Sequence, residues 1–302
     1  MNHKHVLRLQ NVTKKFGNFV ALDTVSFSVD QGEIIGFVGA NGAGKTTTIS
    51  TILGFISANQ GSIELFGVPI YPANAHRFHG RIGYAAGDME LPAHLTGRRY
   101  LAFVLHQARG NHDAYYKELC RLFEPQLDKK IGELSRGNKQ KIALIAAFVT
   151  EPELLILDEP TSGLDPVMQS VFIQRIREFK DTGGTVFMSS HYLNEVADVC
   201  SRVILMRTGK VVQDISSQEL LEKSGKAVCV TVGDKIIHPP HHATNITTDT
   251  KAGRTRITFV FKGEPPELQE WIARIKQLYD IKISEYNLEG AFHSLYESEP
   301  AV

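Results

Sequence analysis

The chain is poor in cysteine. Cys120, Cys200 and Cys229 are odd in number and scattered, so they form neither a disulfide framework nor a pair at metal-ligand spacing. They read as reduced thiols of an intracellular protein. Long apolar runs are missing too. A bilayer-spanning helix needs about 18 or more apolar residues in a row, and the longest candidate, residues 142–149, is far shorter and reads as a buried helix segment. The opening MNHKHVLRLQ carries no apolar core of signal-peptide length. Net charge is absent as well: 33 Lys and Arg balance 33 Asp and Glu. That removes the electrostatic footprint expected of a nucleic-acid binder and any bias toward a basic partner. If such a chain works at a membrane, it has to dock on something else that spans it.

What is present is an ordinary globular balance, 42% hydrophobic and 22% charged over 302 residues, enough for one large domain and a smaller one. Residues 6–12 and 20–29 alternate like strands. Residues 34–38 are continuously apolar, the mark of a strand buried on both faces of a parallel sheet. A glycine-rich loop and a helix from 46 to about 53 follow. Further buried-strand runs occupy 154–157, 185–188 and 203–206, with helical patterns between them, as at 167–180. Strand, helix and strand in alternation predict an α/β core with a parallel sheet. Residues 90–150 have few strand signals, and 98–108 and 113–123 read as helices, which predicts a helical subdomain inserted between two core strands. The first domain is expected to span 1–215. Residues 216–302 read as a small α+β domain: a short capped helix at 216–222, strands at 226–232 and 255–261, a helix at 266–279 and a strand near 281–286. The polar, Pro- and His-rich stretch 238–253 reads as a loop or hairpin tip.

Gly39-Ala40-Asn41-Gly42-Ala43-Gly44-Lys45-Thr46-Thr47 matches the phosphate-binding pattern G-x-x-x-x-G-K-[ST], in the strand–loop–helix setting the pattern requires. The glycines let successive backbone N–H groups curl around an anion, and the following helix adds its positive N-terminus. Lys45 can reach the β- and γ-phosphates, and the Thr46 hydroxyl can ligate Mg²⁺. The loop alone leaves kinase, GTPase, motor and transporter ATPase open.

The apolar strand at 154–157 ends in Asp158-Glu159-Pro160. Two adjacent carboxylates at the mouth of a buried strand are costly unless they meet a cation or water. Asp158 can hold the same Mg²⁺ that Thr46 touches. Glu159 would then face the γ-phosphate and polarise a water.

Between loop and acids lies Leu134-Ser135-Arg136-Gly137-Asn138-Lys139-Gln140-Lys141, and after the acids Thr161-Ser162-Gly163-Leu164-Asp165-Pro166. In this order the motifs resemble the nucleotide-binding subunit of an ATP-binding cassette (ABC) transporter. The resemblance covers residues 6–210, about two-thirds of the chain. It implies a P-loop NTPase core of the ABC ATPase kind, with a mixed or parallel sheet. Ser135 and Gly137 resemble the signature sequence, Asp165 the D-loop aspartate, His191 the switch histidine and Phe16 the aromatic that stacks on adenine. Two ATPase domains would then face head to tail, each ATP (with Mg²⁺) held between the P-loop of one and the Ser135–Gly137 segment of the other. The second domain has to come from another chain, most simply as a homodimer. The other implied partner is an integral membrane permease, which places the protein in the cytoplasm, peripheral on the inner face of the cell membrane.

The sequence departs from the pattern in one loop. The family usually has Gln after a strand resembling Ile82-Gly83-Tyr84, and here Gly87 and then Asp88 follow. Either Asp88 substitutes as a metal contact, directly or through water, or this loop only couples to the permease. The signature also carries Arg136 and Asn138 where the family often has Gly and Gln. The spelling of the P-loop, of residues 95–98 and of residues 135–141 looks most like bacterial exporters with a separately encoded permease, whose cargoes are drugs, antibiotics, peptides, lipids or ions. Residues 283–296, with Leu288, Glu289 and Phe292, resemble the tail of such subunits. The competing expectation is an ABC ATPase of translation or DNA metabolism, but those usually carry two cassettes or a long coiled coil, and this neutral chain has neither. His238, His241 and His242 could suggest a metal site, yet they read as a solvated loop.

Overall fold

The computed structural model describes residues 5–87, 90–108, 110–190, 199–219, 225–233, 237–251 and 253–285. These divide into two compact units, with the boundary between Asp214 and Ile215.

The larger unit holds two sheets. β1 (His5–Phe16) and β2 (Phe19–Asp30) form a long antiparallel hairpin whose tip pairs Phe16 with Phe19. β4 (Gln60–Leu65) adds to the other edge of β1, and the short β5 (Val68–Pro69) follows it. The second sheet has the order β10-β9-β3-β8-β7-β6, built from β3 (Ile34–Val38), β6 (Ile82–Ala86), β7 (Leu154–Asp158), β8 (Thr185–Ser190), β9 (Arg202–Arg207) and β10 (Lys210–Ser216). From β9 through β6 each neighbouring pair is parallel. Every residue of β3, β7 and β8 is buried, which is why each carries an apolar run rather than an alternating pattern. The two sheets share one core, in which the rings of Phe27, Phe37 and Phe187 meet with centroids 5.1–5.7 Å apart.

Helix α1 (Lys45–Ile52) leaves β3, and a short turn of helix, α2 (Pro72–Ala75), follows β5. Between β6 and β7 the chain makes α3 (Gly97–Gln107), α4 (Asp113–Phe123) and α5 (Arg136–Phe148). Thr96 caps α3 by accepting from the Arg99 N–H at 3.3 Å, and Phe123 and Phe148 stack in the core beneath α4 and α5. Helix α6 (Pro166–Asp181) connects β7 to β8.

The smaller unit is an antiparallel sheet of order β12-β13-β11-β14, made of β11 (Lys226–Gly233), β12 (Ala243–Lys251), β13 (Arg254–Phe261) and β14 (Leu278–Glu285). Helix α7 (Pro265–Ala273) packs Leu268 and Trp271 over Val228, Val230, Ile257 and Phe259. Ser216 accepts from the Glu219 N–H at 3.1 Å, as an N-cap does; residues 220–222 of the expected capped helix lie outside the described residues.

Two local expectations fail here. Residues 243–251 form a strand and not a loop: the stretch is polar because β12 is an exposed edge strand, while its Thr residues favour extended backbone. Helix α7 ends at Ala273, and the chain is already β14 at Leu278, so the helix expected to reach 279 is too long.

Candidate functional site

Parallel strands place their C-terminal ends together, so β3, β8 and β7 all end at one edge of the sheet. The loop after β3 turns at Gly42 (φ 82°) and Gly44 (φ 107°), and Gly44 then serves as N-cap of α1. A left-handed cap of this kind suits glycine because it has no Cβ. It leaves the first-turn N–H groups of α1 without side-chain acceptors, as an anion site needs. Lys45 is the first helical residue and is buried. Its Nζ donates to the Gly39 carbonyl at 2.7 Å and stands 3.5 Å from Glu159 Oε1. The Thr46 hydroxyl donates to Asp158 Oδ2 at 2.7 Å. Residues 112 positions apart in sequence thus converge: the ammonium, the hydroxyl and both carboxylates sit at one cleft mouth.

The acid strand has its own supports. Asp158 is buried. Its Oδ1 accepts from the Ser189 hydroxyl on neighbouring β8, and the same hydroxyl oxygen accepts the Glu159 N–H at 3.0 Å. Glu159 has φ 49°, in the left-handed region that a non-glycine residue adopts at a cost. Tyr84, on the next strand, has its phenol pushed up, first by burial and then by the negative charge of Asp158. Sequence reasoning passed over Ser189. The only signal was its place near the end of a strand beside the acid strand, and that adjacency becomes visible only once strand order is known.

The cleft beside the P-loop is walled by Phe19, Ala21, Asn41, Lys45, Thr46 and Glu159 among others. Phe16, the aromatic expected at adenine, lies across the hairpin tip from Phe19, half exposed and with the Lys14 ammonium 4.9 Å from its ring centre. Phe19 is more exposed still, at 65%, and is a second aromatic available there. Asp88 and His191 lie outside the described residues.

Ser135 and Gly137 are not walls of that cleft. Ser135 caps α5, its hydroxyl accepting from the Asn138 N–H at 3.4 Å. A Cβ at Gly137 would stand 2.6 Å from the Gly163 carbonyl oxygen. Arg136 Nη2 donates to Ser162 Oγ at 2.7 Å, and the buried Gln140 amide donates to the Pro160 carbonyl at 2.9 Å. The first turns of α5 are therefore stitched to residues 160–163, just beyond the acids. Asp165 caps α6, accepting from the Met168 N–H at 2.9 Å.

Gly87 has a steric reason to be glycine. Its N–H donates to the Asp158 carbonyl at 2.7 Å, and a Cβ there would stand 2.8 Å from the Glu159 carbonyl oxygen and 3.0 Å from Ser162 Cβ. Restoring the family's usual residue by Gly87→Gln is therefore expected to displace Glu159, lowering stability by about 1–3 kcal/mol as overpacking does and slowing turnover. Thermal melts and steady-state ATPase check this. A variant with wild-type melting and faster hydrolysis would show that the loop has room after all.

As to chemistry, the Thr46 hydroxyl and the Asp158 carboxylate form a hard-oxygen pair of the kind a Mg²⁺ ion takes while keeping waters and phosphate oxygens as its other ligands. The residues present thus fit that ion. The P-loop amides and Lys45 fit a polyphosphate, and Glu159 is the partly exposed carboxylate that can reach a water beside it.

The family model described as ABC transporter matches residues 22–162. The chain is 30% identical over 305 residues to the bacitracin transport ATP-binding protein BcrA of Enterococcus faecalis, covering 97% of this chain and 96% of that one. It is 34% identical over 220 residues to the Nod factor export ATP-binding protein I of Burkholderia pseudomallei, covering 70% and 71%. Among solved structures it is similar to an ATP-binding subunit of an ABC transporter, with 27% identity, a TM-score of 0.66 and coverage of 71% of this chain and 91% of that one.

Proposed function

Because this chain belongs to the ABC transporter ATP-binding family, we propose that it energises export of a drug, antibiotic, peptide, lipid or ion through a separate membrane-embedded permease. As a member of that family it binds and hydrolyses ATP. The single observation that carries the mechanism is the convergence of Lys45, Thr46, Asp158 and Glu159 at the ends of β3 and β7.

The P-loop amides and the α1 N-terminus take the β- and γ-phosphates, and Lys45 swings from the Gly39 carbonyl to the same oxygens. Thr46 and Asp158 would hold Mg²⁺, which when bound offsets charge on the phosphate oxygens. Glu159 accepts a hydrogen bond from the attacking water and orients it in line with the γ-phosphorus. Phe16, with Phe19 beside it, offers an apolar surface for adenine. Ser135 and Gly137, at the capped N-terminus of α5, are assigned to the γ-phosphate of a second copy of the chain, with Asp165 at the dimer seam. His191 and Asp88 are assigned to the γ-phosphate and metal surroundings from their sequence positions.

Among the described residues no helix is long and apolar enough to cross a membrane; docking on a permease at the inner face of the membrane is supported by relatives named as ATP-binding proteins of transport and export. The export direction rests on a relative named for Nod factor export. The test is purification of the chain from detergent-solubilised membranes. The expected result is co-purification with one polytopic membrane protein, whose presence raises the ATPase rate. Sedimentation with ribosomes and never with membranes would sink the transporter reading while leaving the ATPase intact.

A further inference from the structure

We propose that Ser189 is the positioning residue of the hydrolytic site, its one buried hydroxyl setting the orientation of Asp158 and of Glu159 together. This rests on the ATPase reading and adds to it a residue outside the motifs. β8 lies between the P-loop strand β3 and the acid strand β7, and Ser189 pairs in register with Phe37 on one side and Asp158 on the other. Its side chain has no access to solvent. The hydroxyl has a single proton, and it goes to Asp158 Oδ1. That bond fixes which carboxylate oxygen faces away and leaves Oδ2 toward Thr46. A lone pair of the same oxygen takes the Glu159 N–H at 3.0 Å, shorter than the 3.3 Å from that N–H to the Ser189 carbonyl. Glu159 sits at φ 49°, a conformation that persists only where its surroundings over-determine it, and Ser189 supplies both of these acceptors to its N–H.

Removing the hydroxyl takes the donor from Asp158 Oδ1 and leaves the Glu159 N–H to the longer 3.3 Å contact with the Ser189 carbonyl. The terminal torsion of an Asp side chain is broad and twofold, so Asp158 Oδ1 would turn to find another donor and take Oδ2 off its line to Thr46. The Ser189 hydroxyl bonds to Asp158 and to the Glu159 N–H and not to the P-loop, where Lys45 keeps its bond to the Gly39 carbonyl. The signature is therefore specific: nucleotide binding without metal persists, and the gain that metal adds is lost. Outer-shell partners of metal-holding groups are typically worth about 10- to 100-fold in metal affinity or activity, and that is the size expected here.

The experiment measures ATP affinity of the purified chain in EDTA and in Mg²⁺, with steady-state ATPase alongside, for wild type, Ser189→Ala, Ser189→Thr and Ser189→Cys. Expected for Ser189→Ala is wild-type affinity in EDTA, a Mg²⁺-dependent tightening reduced about 10- to 100-fold, and kcat reduced by a like factor. Ser189→Thr keeps a hydroxyl and should recover both; Ser189→Cys, a weak donor of similar size, should not. Ser189→Ala with wild-type metal dependence and kcat overturns the proposal, and so does an equal loss in EDTA and Mg²⁺, which marks a merely structural role. If the alanine protein does not fold, the Thr and Cys variants decide, and equal behaviour of the two overturns it. A wild-type chain that binds no ATP under either condition would instead sink the ATPase reading itself.

Discussion

Lys45→Ala is expected to weaken ATP binding by about 10- to 150-fold and to remove measurable turnover. The first figure follows from the loss of one hydrogen-bonded ion contact to phosphate, about 1.5–3 kcal/mol, at 1.4 kcal/mol per decade of affinity. Turnover falls further, because a preorganised donor aimed at developing charge is worth about 10²–10³ in rate. The structure adds a second reason. Lys45 is buried and is the cation 3.5 Å from Glu159 Oε1. Truncation leaves the Gly39 carbonyl without the donor it has now and removes the ammonium that stands between Glu159 and the P-loop. Titration calorimetry with ATP, alongside circular dichroism to establish folding, reads the effect. A folded Lys45→Ala protein with wild-type affinity and rate would mean that the loop is a strand–helix turn and not a phosphate cradle.

Glu159→Gln is expected to separate binding from chemistry. The substitution keeps shape and volume. The main-chain bonds that hold residue 159 run from its N–H to Ser189 and from the Ser162 N–H to its carbonyl at 3.1 Å, and they do not involve the side chain. Only the carboxylate charge and its basicity disappear. A positioned general base contributes about 10²–10⁴ in rate, so kcat should fall by that factor while ATP affinity stays or rises as one negative charge leaves the neighbourhood of the triphosphate. With hydrolysis blocked, ATP and Mg²⁺ should drive the chain into a dimer visible by light scattering, since the proposed head-to-tail pair is held by intact γ-phosphates. A Gln variant with wild-type kcat would exclude Glu159 as the carboxylate that orients water.

How much of this was legible in sequence depends on how local each signal is. The P-loop is contiguous, and its chemistry is carried by backbone N–H groups plus Lys45 and Thr46, so nine consecutive residues with a buried strand before them announce it. Asp158 and Glu159 were readable because two acids at the end of an apolar strand are too costly to leave there unless a cation or water meets them. The α/β core was equally plain, since strands buried on both faces carry apolar runs. Contacts that exist only through strand order were not readable. Nothing about a serine at 189 points to residue 158 until β8 is known to lie beside β7. Gly87 looked like a lost ligand in sequence; the structure shows a position walled by the Glu159 carbonyl. In the second unit, β12 was hidden because an exposed edge strand need not alternate, and its Thr content was outweighed by the Pro and His residues just before it. The over-long helix at 266–279 arose because Ile275 continues the helical spacing, although it is a core residue just past the end of α7.

The stitching of α5 to residues 160–163 has a mechanical consequence. Glu159, proposed to act on one triphosphate, and Ser135, proposed to meet the other, are joined by three short struts: Arg136 to Ser162, Gly137 against Gly163, and Gln140 to Pro160. With a Cβ-sized gap already closed at Gly137, the joint has little slack. On the proposed head-to-tail pairing, a shift of the chain beyond Glu159 on hydrolysis would carry the tip of α5 along, and the neighbouring pocket would lose its clamp. Two pockets linked in this way would fire in turn, each spent nucleotide loosening the one still waiting.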